Sequence, residues 1–468
     1  MNNPFRNLIL LGLFIFLTRV PFLFDGFGSE EDAWAMHLVA ERIGTTGIYE
    51  VSRLPGHPVQ ELIYASCWKM GPLFYNLLTA IISTIGIIAF AAMLMQLGIK
   101  NALWSATALA FTPIVFINSS NSMDYTWAMG FVLLSGYFIS RKQILLAAGM
   151  LALAVGCRIT SGAMLLPYSI LLWNLCDENI RVKNISYFIS ATLLVSFIVM
   201  SPVIYQYGLG FLTYYEHFPI PGFLKNAYKG SIAVWGIAGC IAIAYFIVKI
   251  IIKRNGVMPV IYEEKNISIP LITVCIITVL LYTIAFINVP LKAAFIIPIC
   301  PFLIVGLALL LDEKSIRNLS LVFIFSCFFL GVNLAEENRG SSQSSVAYLL
   351  NIGETKVAID LLQGLVLADQ SKRKQQIAFA EKIINRTSTI QQKTILISGW
   401  WNATLQVLSK NNPNDSLIIR HYIDEPELRW LKESGYDLFY LEDQGAFNDL
   451  RFNKKMTDNY AQKLNFYY

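Results

Sequence analysis

The sequence predicts a mainly α-helical bundle that crosses a membrane many times and ends in a water-exposed α/β domain. Hydrophobic residues make up 55% and charged residues 14% of the 468, and the mean hydropathy is +0.54, values typical of a polytopic membrane protein. The charged share rises from about 10% before residue 335 to about 24% after it. We therefore expect a transmembrane domain over 1–334 and an extracytoplasmic α/β domain over 335–468.

Eleven apolar segments are interpreted as membrane spans, since a helix needs roughly 20 apolar residues to cross a bilayer. They lie at about 7–24, 72–96, 102–118, 125–140, 143–157, 161–175, 185–205, 231–252, 267–287, 293–311 and 317–334. The first segment could also be a secretory signal. It is interpreted as a retained helix, because no small-residue cleavage site follows it and ten further segments do.

The positions of Lys and Arg near the short loops predict the orientation of the chain. With the N-terminus in the cytoplasm, 12 of these residues fall on the cytoplasmic side and seven on the other. The C-terminal domain then lies outside, and a bacterial inner membrane is expected because no eukaryotic retention signal is visible. ATP and nucleotide sugars are absent from the outer face, so a reaction there needs a donor that the membrane delivers.

The C-terminal part has the pattern of a small α/β module. Helical spacing covers 356–386, strands are predicted at 394–398, 417–419 and 438–441, and a helix near 425–434 is opened by Asp424. The sequence contains no G-x-G-x-x-G or P-loop, and the net charge of +5 is modest and unclustered. Neither a nucleotide nor a nucleic acid is therefore an expected partner.

Acidic residues are concentrated in the first predicted outer loop, 25–71. Seven of the 15 Asp and Glu before residue 335 fall between residues 25 and 61, and Glu30, Glu31 and Asp32 are adjacent. Asp32 begins an amphipathic segment, 32–43, which favours a helix lying on the membrane surface. In the alternative interpretation Ser29-x-x-Asp32 is a capping box, and the carboxylate only satisfies backbone N–H groups.

Cations follow in the same loop and at the outer ends of other spans. A turn rich in Pro and Gly over 49–58 presents Arg53 and His57, and the planar guanidinium of an arginine suits a phosphate. Arg158 and Lys292 stand at predicted outer span ends. Each cation has a simpler interpretation, as a solvated loop residue or as a side chain that reaches lipid headgroups.

Asp124 is a second candidate acid, at the predicted outer mouth of the span that begins near 125. It could be an N-cap, but ionisable groups at span ends are often functional where they face an enclosed cavity. Two carboxylates and several cations on one membrane face suit transfer from a lipid phosphate.

Aromatic residues mark two further segments. The predicted outer loop 206–230 is rich in Tyr and Phe, which suits the lipid–water interface. The pair Trp400 and Trp401 could stack on a glycan, although a buried aromatic pair at a strand end is the alternative.

With these residues in place, the membrane part resembles the GT-C glycosyltransferases. The shared features are an outer-loop acid, a surface helix with Ala eight residues later, the pattern G-x-Y…S-R-x-P-G-x-P, a second acid after the third span and a soluble C-terminal domain. The bacterial relatives of the dolichyl-phosphate-mannose protein mannosyltransferases and the lipid A aminoarabinose transferase look most similar. The resemblance covers roughly residues 5–334.

The resemblance implies roles for individual residues. Counting back from Ala40 places the family's catalytic Asp at Asp32, but the Glu that usually follows it is Ala33 in this chain. Glu30 or Glu31 could take its place, so the base stays open among these three acids. The other matches are Asp124 for the second acid and, as contacts to the donor phosphate, Arg53, Arg158 and Lys292, with His57 in the same loop as Arg53.

The activity implied by the resemblance is transfer of a sugar from a polyprenyl-phosphate donor, with inversion, to a glycan, lipid or protein acceptor. Asp32 is the general base in this scheme, and the cations stabilise the leaving phosphate. No metal is required and no His or Cys set indicates one, but family members differ on a divalent cation, so that alternative stays open.

Other classes of protein remain as alternatives at this point. A transporter or flippase would carry charges near the bilayer midplane and inverted repeats, and a receptor-like scaffold would use the acids only as helix caps. A polysaccharide polymerase or ligase is the alternative among enzymes, for which Arg-rich outer loops are expected.

Overall fold

A computed structural model describes residues 4–210, 222–254, 265–335, 347–352, 355–421, 423 and 425–440. The segment up to residue 210 contains α1 (Pro4–Arg19), α2 (Glu31–Thr46), α3 (Pro58–Ser66), α4 (Gly71–Gln96), α5 (Ala102–Ala110), α6 (Pro113–Asn118), α7 (Tyr125–Ser140), α8 (Ile144–Cys157), α9 (Leu165–Leu175) and α10 (Glu178–Tyr207). It is followed by α11 (Phe223–Gly230), α12 (Ile232–Arg254), α13 (Lys265–Asn288), α14 (Ile299–Leu310) and α15 (Glu313–Phe328). The prediction of a mainly α-helical chain is confirmed.

Five helical stretches are long and apolar enough to cross a membrane. They are Phe5–Phe22, Trp68–Gln96, Glu178–Tyr207, Ile232–Ile252 and Ile269–Asn288. The other predicted spans fall on shorter helices, and the count of eleven therefore does not follow from helix length alone.

The predicted span 102–118 is broken where its sequence reaches Pro113. Proline has no N–H to give to the turn before it, and the segment divides into α5 and α6 at Phe111 and Thr112. Arg19, at the end of α1, is fully buried at this break, where it donates to the carbonyl of Ala110 and to Ser119 Oγ at 3.1 Å. A backbone carbonyl exposed by the break is thus satisfied by a distant side chain.

Helices α4 and α7 pack in close contact through glycine. A Cβ placed on Gly86 would lie 2.5 Å from the Cα of Gly130, and a Cβ on Gly130 would lie 3.0 Å from the carbonyl oxygen of Ile82. Small residues allow helix backbones to approach in this way where no hydrophobic effect drives them together. This contact sets the position of the start of α7, where Asp124 lies.

The C-terminal part contains two small sheets. Strands β1 (Gly331–Ala335), β2 (Ala347–Ile352) and β3 (Thr355–Asp360) pair antiparallel in the order β1-β3-β2. The second sheet is parallel in the order β5-β4-β6, with β4 (Thr394–Ile397), β5 (Leu417–Arg420) and β6 (Asp437–Tyr440). Between and around them lie α16 (Leu365–Thr387), α17 (Asn402–Ser409) and α18 (Glu425–Glu433).

Several predicted elements in this region are confirmed and two need correction. The strands predicted at 394–398 and 417–419 are β4 and β5, and the helix near 425–434 is α18. The predicted span 317–334 ends early, because α15 stops at Phe328 and the chain continues as β1. The predicted helix over 356–386 begins only at Leu365, since its first residues belong to β3. Asp424, Leu441 and the aromatic residues between 211 and 221 lie outside the described residues.

The C-terminal part is attached by α16 to the segments that precede α2 and α7. Arg373 is buried and donates to the carbonyl of Ser120 at 2.8 Å, while Asp369 accepts from its Nε at 2.7 Å. One turn earlier, Gln370 donates to Asp25 at 2.8 Å. The C-terminal part therefore rests directly on the residues that precede α2 and α7.

The glycine contact between α4 and α7 predicts a stability defect. We expect Gly86→Ala to lower the free energy of unfolding by about 1–3 kcal/mol, because its methyl group would overlap the Gly130 backbone. Gly149→Ala on α8 is the matched control, since its Cβ would meet no atom within 4 Å. Thermal unfolding of the purified protein in detergent measures both, and an equal effect of the two substitutions would contradict the assigned contact.

Candidate functional site

A buried glutamate shapes the loop that presents Arg53. Glu61, on α3, is fully buried and accepts hydrogen bonds from the backbone N–H and hydroxyl of Ser52, both at 2.7 Å, and from the N–H of His57 at 3.1 Å. Tyr49 donates to the same carboxylate at 2.5 Å. One side chain thus fixes both ends of the turn over 49–58, and the position of Arg53 follows from it.

Asp124 is the centre of the site. Its side chain has no solvent exposure, and it accepts hydrogen bonds from Arg53 and, at 2.7 Å, from Arg158 Nη1. Arg158 also lies over the rings of Tyr125 and Phe295, at 4.4 and 4.9 Å from their centroids. A carboxylate removed from water needs such cationic partners to stay ionised.

Asp32 joins this group through Arg53 and Lys292. The Nε of Arg53 lies 3.6 Å from Asp32 Oδ2, and Lys292 donates to both Asp32 and Glu30. Residues that are distant in sequence therefore form one ion-pair cluster, defined here as Glu30, Asp32, Arg53, Asp124, Arg158 and Lys292. The side chains of Asp32 and Lys292 are 32% and 30% exposed, so this end of the cluster opens to solvent while Asp124 is its closed end.

Neither candidate acid caps a helix through its side chain within the described residues. Glu30, not Asp32, is the N-cap residue of α2, and no side-chain capping bond is made there by any residue that the structure describes. Asp124 stands at the N-cap of α7, but its side chain also makes no capping bond within the described chain. Ser29 donates to Asp369 at 2.5 Å instead of capping α2.

Neighbouring charges, rather than burial, determine the ionisation of Asp32, Asp124 and Lys292. Burial alone would raise the pKa of Asp32, but the charges of Arg53 and Lys292 outweigh it and lower the pKa to about 2. Burial also opposes ionisation of Asp124, but His57, Arg53 and Arg158 hold its pKa well below its usual range. The carboxylates raise the pKa of Lys292 against the effect of burial. Asp32 is therefore ionised at neutral pH.

His57 lies behind Asp124 rather than in the open part of the cluster. It is 2% exposed, its Nδ1 is 2.6 Å from the carbonyl oxygen of Cys157 and 3.6 Å from Asp124 Oδ2. Burial lowers its pKa, while the neighbouring carboxylate of Asp124 acts in the opposite direction. The imidazole is thus packed between Asp124 and the backbone of Cys157, away from the solvent-exposed end of the cluster.

Glu31 points away from the cluster, to the C-terminal part. Its carboxylate accepts from the N–H of Thr404 at 2.8 Å and from the Thr404 hydroxyl, at the start of α17. Burial raises the pKa of Glu31 to about 7, although the Thr404 hydrogen bonds act in the opposite direction. Of the three adjacent acids, the structure brings Glu30 and Asp32 to the cluster and uses Glu31 in docking.

A cavity of about 610 Å³ opens beside the exposed end of the cluster. This volume is within the roughly 300–1,000 Å³ of common ligand pockets. The cavity lies between the membrane part and the C-terminal part, and its lining includes Glu30, Asp32, Lys229, Lys292, Gln375 and Trp400. A separate crevice of about 10 Å³ lies beside Arg158 and Tyr282.

Sequence reasoning missed the role of Glu61. Its signal was weak, since it was one acid among seven in a loop already assigned to the site. A glutamate just inside a helix that follows Pro58 is also common for the helix dipole alone. Only the fold reveals that its carboxylate turns back to Ser52 and Tyr49.

No group of three or more His, Cys, Asp or Glu that could hold a metal ion occurs in the part of the chain that the structure describes. No family model, curated protein or solved structure matches the chain.

The Glu31 docking contact predicts a pH dependence of stability. The folded chain keeps the Glu31 proton up to about pH 7, whereas an unfolded glutamate loses it near 4.3. The folded state thus binds more protons in between, so this stabilisation is complete below about pH 4 and declines as the pH rises to about 7. We expect the thermal midpoint of the wild type to fall more between pH 5 and pH 8 than that of Glu31→Gln.

Glu50→Gln is the matched control, since Glu50 is partly exposed and pairs only with Arg42 among the described residues. Burial lowers the pKa of His37 to about 4, which changes stability in the opposite direction but equally in all three proteins. Equal pH dependence of the wild type and Glu31→Gln would contradict the docking role.

Proposed function

We propose that the chain is a GT-C-type membrane glycosyltransferase. In this proposal it moves a sugar, with inversion, from a polyprenyl-phosphate donor to an acceptor on the extracytoplasmic face. The observation that carries the proposal is the meeting of Asp32 with Arg53 and Lys292 beside a cavity of about 610 Å³, which Asp32 and Lys292 line. A proton acceptor beside several cations is the arrangement that transfer from a lipid phosphate requires.

The proposal includes the eleven spans, and the contacts of the cluster support that number. Asp32, Asp124, Arg158 and Lys292 follow the first, third, fifth and ninth apolar segments, which are all odd. If every segment crosses the membrane, all four side chains reach the same face. If only the five long helices cross, Asp32 follows one crossing and Asp124 follows two, so they would lie on opposite faces. Their common partner, Arg53, favours the first arrangement.

The same argument supports the proposed location of the C-terminal part. It follows the eleventh segment, which is again odd. Its Thr404 contacts Glu31, after the first segment, and its Arg373 contacts Ser120, after the third. With the N-terminus in the cytoplasm of a bacterial inner membrane, residues 335–468 form an extracytoplasmic α/β domain. This domain closes one side of the proposed active site.

In the proposed reaction Asp32 accepts the proton of an acceptor hydroxyl or amine. The acceptor oxygen or nitrogen forms a bond to the anomeric carbon as the bond from that carbon to the phosphate oxygen breaks. The lipid phosphate leaves with the electron pair and gains negative charge. Lys292 and Arg53, already positioned by the carboxylates, stabilise that charge in a site partly removed from water.

Asp124 and Glu61 are positioning residues in this scheme. Asp124 orients the two arginines from its fully buried position, and Glu61 holds the turn that carries one of them. Neither needs to contact the donor. Asp124 and Glu61 affect transfer indirectly, because they determine the positions from which Arg53 and Arg158 contact the phosphate.

The assigned base predicts the behaviour of Asp32→Asn. We expect sugar loss from a polyprenyl-phosphate sugar labelled in the sugar to slow by about 10²–10⁴-fold, because a proton acceptor is removed from the transition state. Donor binding should remain, since Glu30 still holds Lys292 in place. The rate of label release in proteoliposomes and the affinity for the labelled lipid measure the two effects.

Glu41→Gln is the control for that variant, because Glu41 lies on the same helix but pairs with Lys410 outside the cluster. Wild-type consumption of the donor by Asp32→Asn would remove Asp32 from the role of base.

The phosphate role of Arg53 predicts weaker donor binding. A hydrogen bond to a charged group contributes about 1.5–3 kcal/mol, so we expect Arg53→Ala to bind the labelled donor lipid about ten- to a hundredfold more weakly. Arg42→Ala, which removes an exposed arginine paired with Glu50, is the control. Arg53→Lys keeps a positive charge beside Asp124 and separates loss of folding from loss of binding. Unchanged donor affinity in Arg53→Ala would contradict the assignment.

A further inference from the structure

Helix α11 presents three side chains to the cavity beside the ion-pair cluster. Lys225, Tyr228 and Lys229 are spaced three and four residues from the first, which places them on one face of the helix, and all three line the cavity. Phe223 lies on the opposite face and is 88% exposed. The sequence of α11 therefore determines which of its residues reach the loops around the cluster.

Lys292 stands on a short stretch of chain between two helical elements. Helix α13 ends at Asn288, and the next helical turn, Ala293–Ile296, begins only after Lys292. Pro290 has no N–H group and cannot continue the hydrogen bonding of a helix. Lys292 itself is extended, with φ −134° and ψ 137°. The carbonyl groups of this stretch therefore need partners from elsewhere in the chain.

Lys229 supplies such a partner. Its ammonium group donates a hydrogen bond to the carbonyl oxygen of Leu291, the residue before Lys292. On the other side, the carbonyl oxygen of Lys292 accepts from the N–H of Phe295 at 3.2 Å. The backbone is thus held both before and after the residue whose side chain enters the ion-pair cluster.

The neighbour of Lys229 attaches α11 to the C-terminal part. The Tyr228 hydroxyl donates to the carbonyl oxygen of Val332 at 3.0 Å, and the amide oxygen of Asn333 lies 3.2 Å from it. Both of these residues belong to β1. Because Tyr228 and Lys229 are adjacent, one end of a short helix connects β1 to the loop that carries Lys292.

We propose that Lys229 is a positioning residue for Lys292 in the transfer reaction. The inference rests on the proposed function, because Lys292 is one of the cations that stabilise the leaving phosphate in that scheme. A lysine side chain is long and flexible, so the place of its ammonium group depends on where its backbone is held. Lys229 holds that backbone through Leu291, and Tyr228 extends the same constraint to the C-terminal part.

The test is a double-mutant cycle, measured as binding of polyprenyl phosphate without a sugar. The wild type, Lys229→Met, Lys292→Met and the double variant are compared as full-length proteins in detergent. A hydrogen bond to a charged group corresponds to about a ten- to hundredfold change in affinity, and we expect Lys292→Met to weaken binding by that factor.

The expected signature is an effect of Lys229 that depends on Lys292. Lys229→Met should weaken binding about three- to tenfold when Lys292 is present, and less than about twofold when Lys292 is replaced. Lys229→Arg keeps a charged donor and should restore most of the affinity. A general loss of stability would produce neither the dependence on Lys292 nor the rescue by arginine.

Lys249→Met is the matched control. Lys249 lies on the neighbouring helix α12 and also makes a hydrogen bond through its ammonium group, to Ser315 Oγ at 3.0 Å. This variant should bind polyprenyl phosphate like the wild type. Thermal unfolding shows whether each variant is folded, and Lys292→Gln repeats the cycle if Lys292→Met does not fold.

Two results would overturn the positioning role. One is wild-type affinity of Lys229→Met, and the other is an equal loss of affinity on Lys229→Met with and without Lys292. Failure of the proposed function is seen separately, with a donor lipid that carries a labelled sugar. A chain that shows the expected cycle but releases no sugar keeps the arrangement of Lys229 and Lys292 at a lipid phosphate and loses the transferase.

Discussion

The fully buried carboxylate of Asp124 is the interaction on which the arrangement of the site depends. An ionised group without solvent needs opposite charge nearby, and the chain supplies it from two separate loops as Arg53 and Arg158. Arg53 reaches from there to Asp32, and Lys292 extends the contact to Glu30. Four segments that are remote in sequence are thereby joined at one point, and the cavity opens beside it.

The acidic loop 25–61 serves two purposes that its sequence does not distinguish. Glu30 and Asp32 enter the ion-pair cluster, and Glu61 organises the turn beside it. The remaining contacts attach the C-terminal part: Asp25 to Gln370, Glu31 to Thr404 and Glu41 to Lys410. Both groups of contacts start from the same short stretch around α2. A shift of the C-terminal part would therefore be transmitted to Asp32 through the helix that carries it.

The sequence was sufficient for the features that depend on local pattern. Apolar runs located the helices, since the apolar segments at 72–96 and 125–140 match α4 and α7 closely. The sequence was insufficient where a contact with a residue far away in the chain determines the structure. Residues 331–334 are apolar enough for a span, but pairing with β3 makes them a strand. Asp124 looked equally like a cap and a functional acid, because spacing within a helix cannot reveal two arginines from other loops. Glu31 and Asp32 are adjacent in sequence, yet the rotation of about 100° between neighbouring residues of a helix directs them to different partners.

The ion pairs within the cluster are compatible with the proposed reaction. Three carboxylates and three cations balance each other, so Asp32 and Asp124 stay ionised although burial opposes their ionisation. A phosphate that enters the cavity can compete with Asp32 and Glu30 for Lys292, the partly exposed end of the cluster, while the buried pairs of Asp124 remain. When Lys292 turns to the phosphate, Asp32 loses one of the charges that lower its pKa. In the proposed reaction its carboxylate would then be a stronger proton acceptor in the donor complex than in the free chain. The arrival of the donor would thus activate the proposed base, while Arg53 and Arg158 would meet the phosphate from the positions that Asp124 fixes.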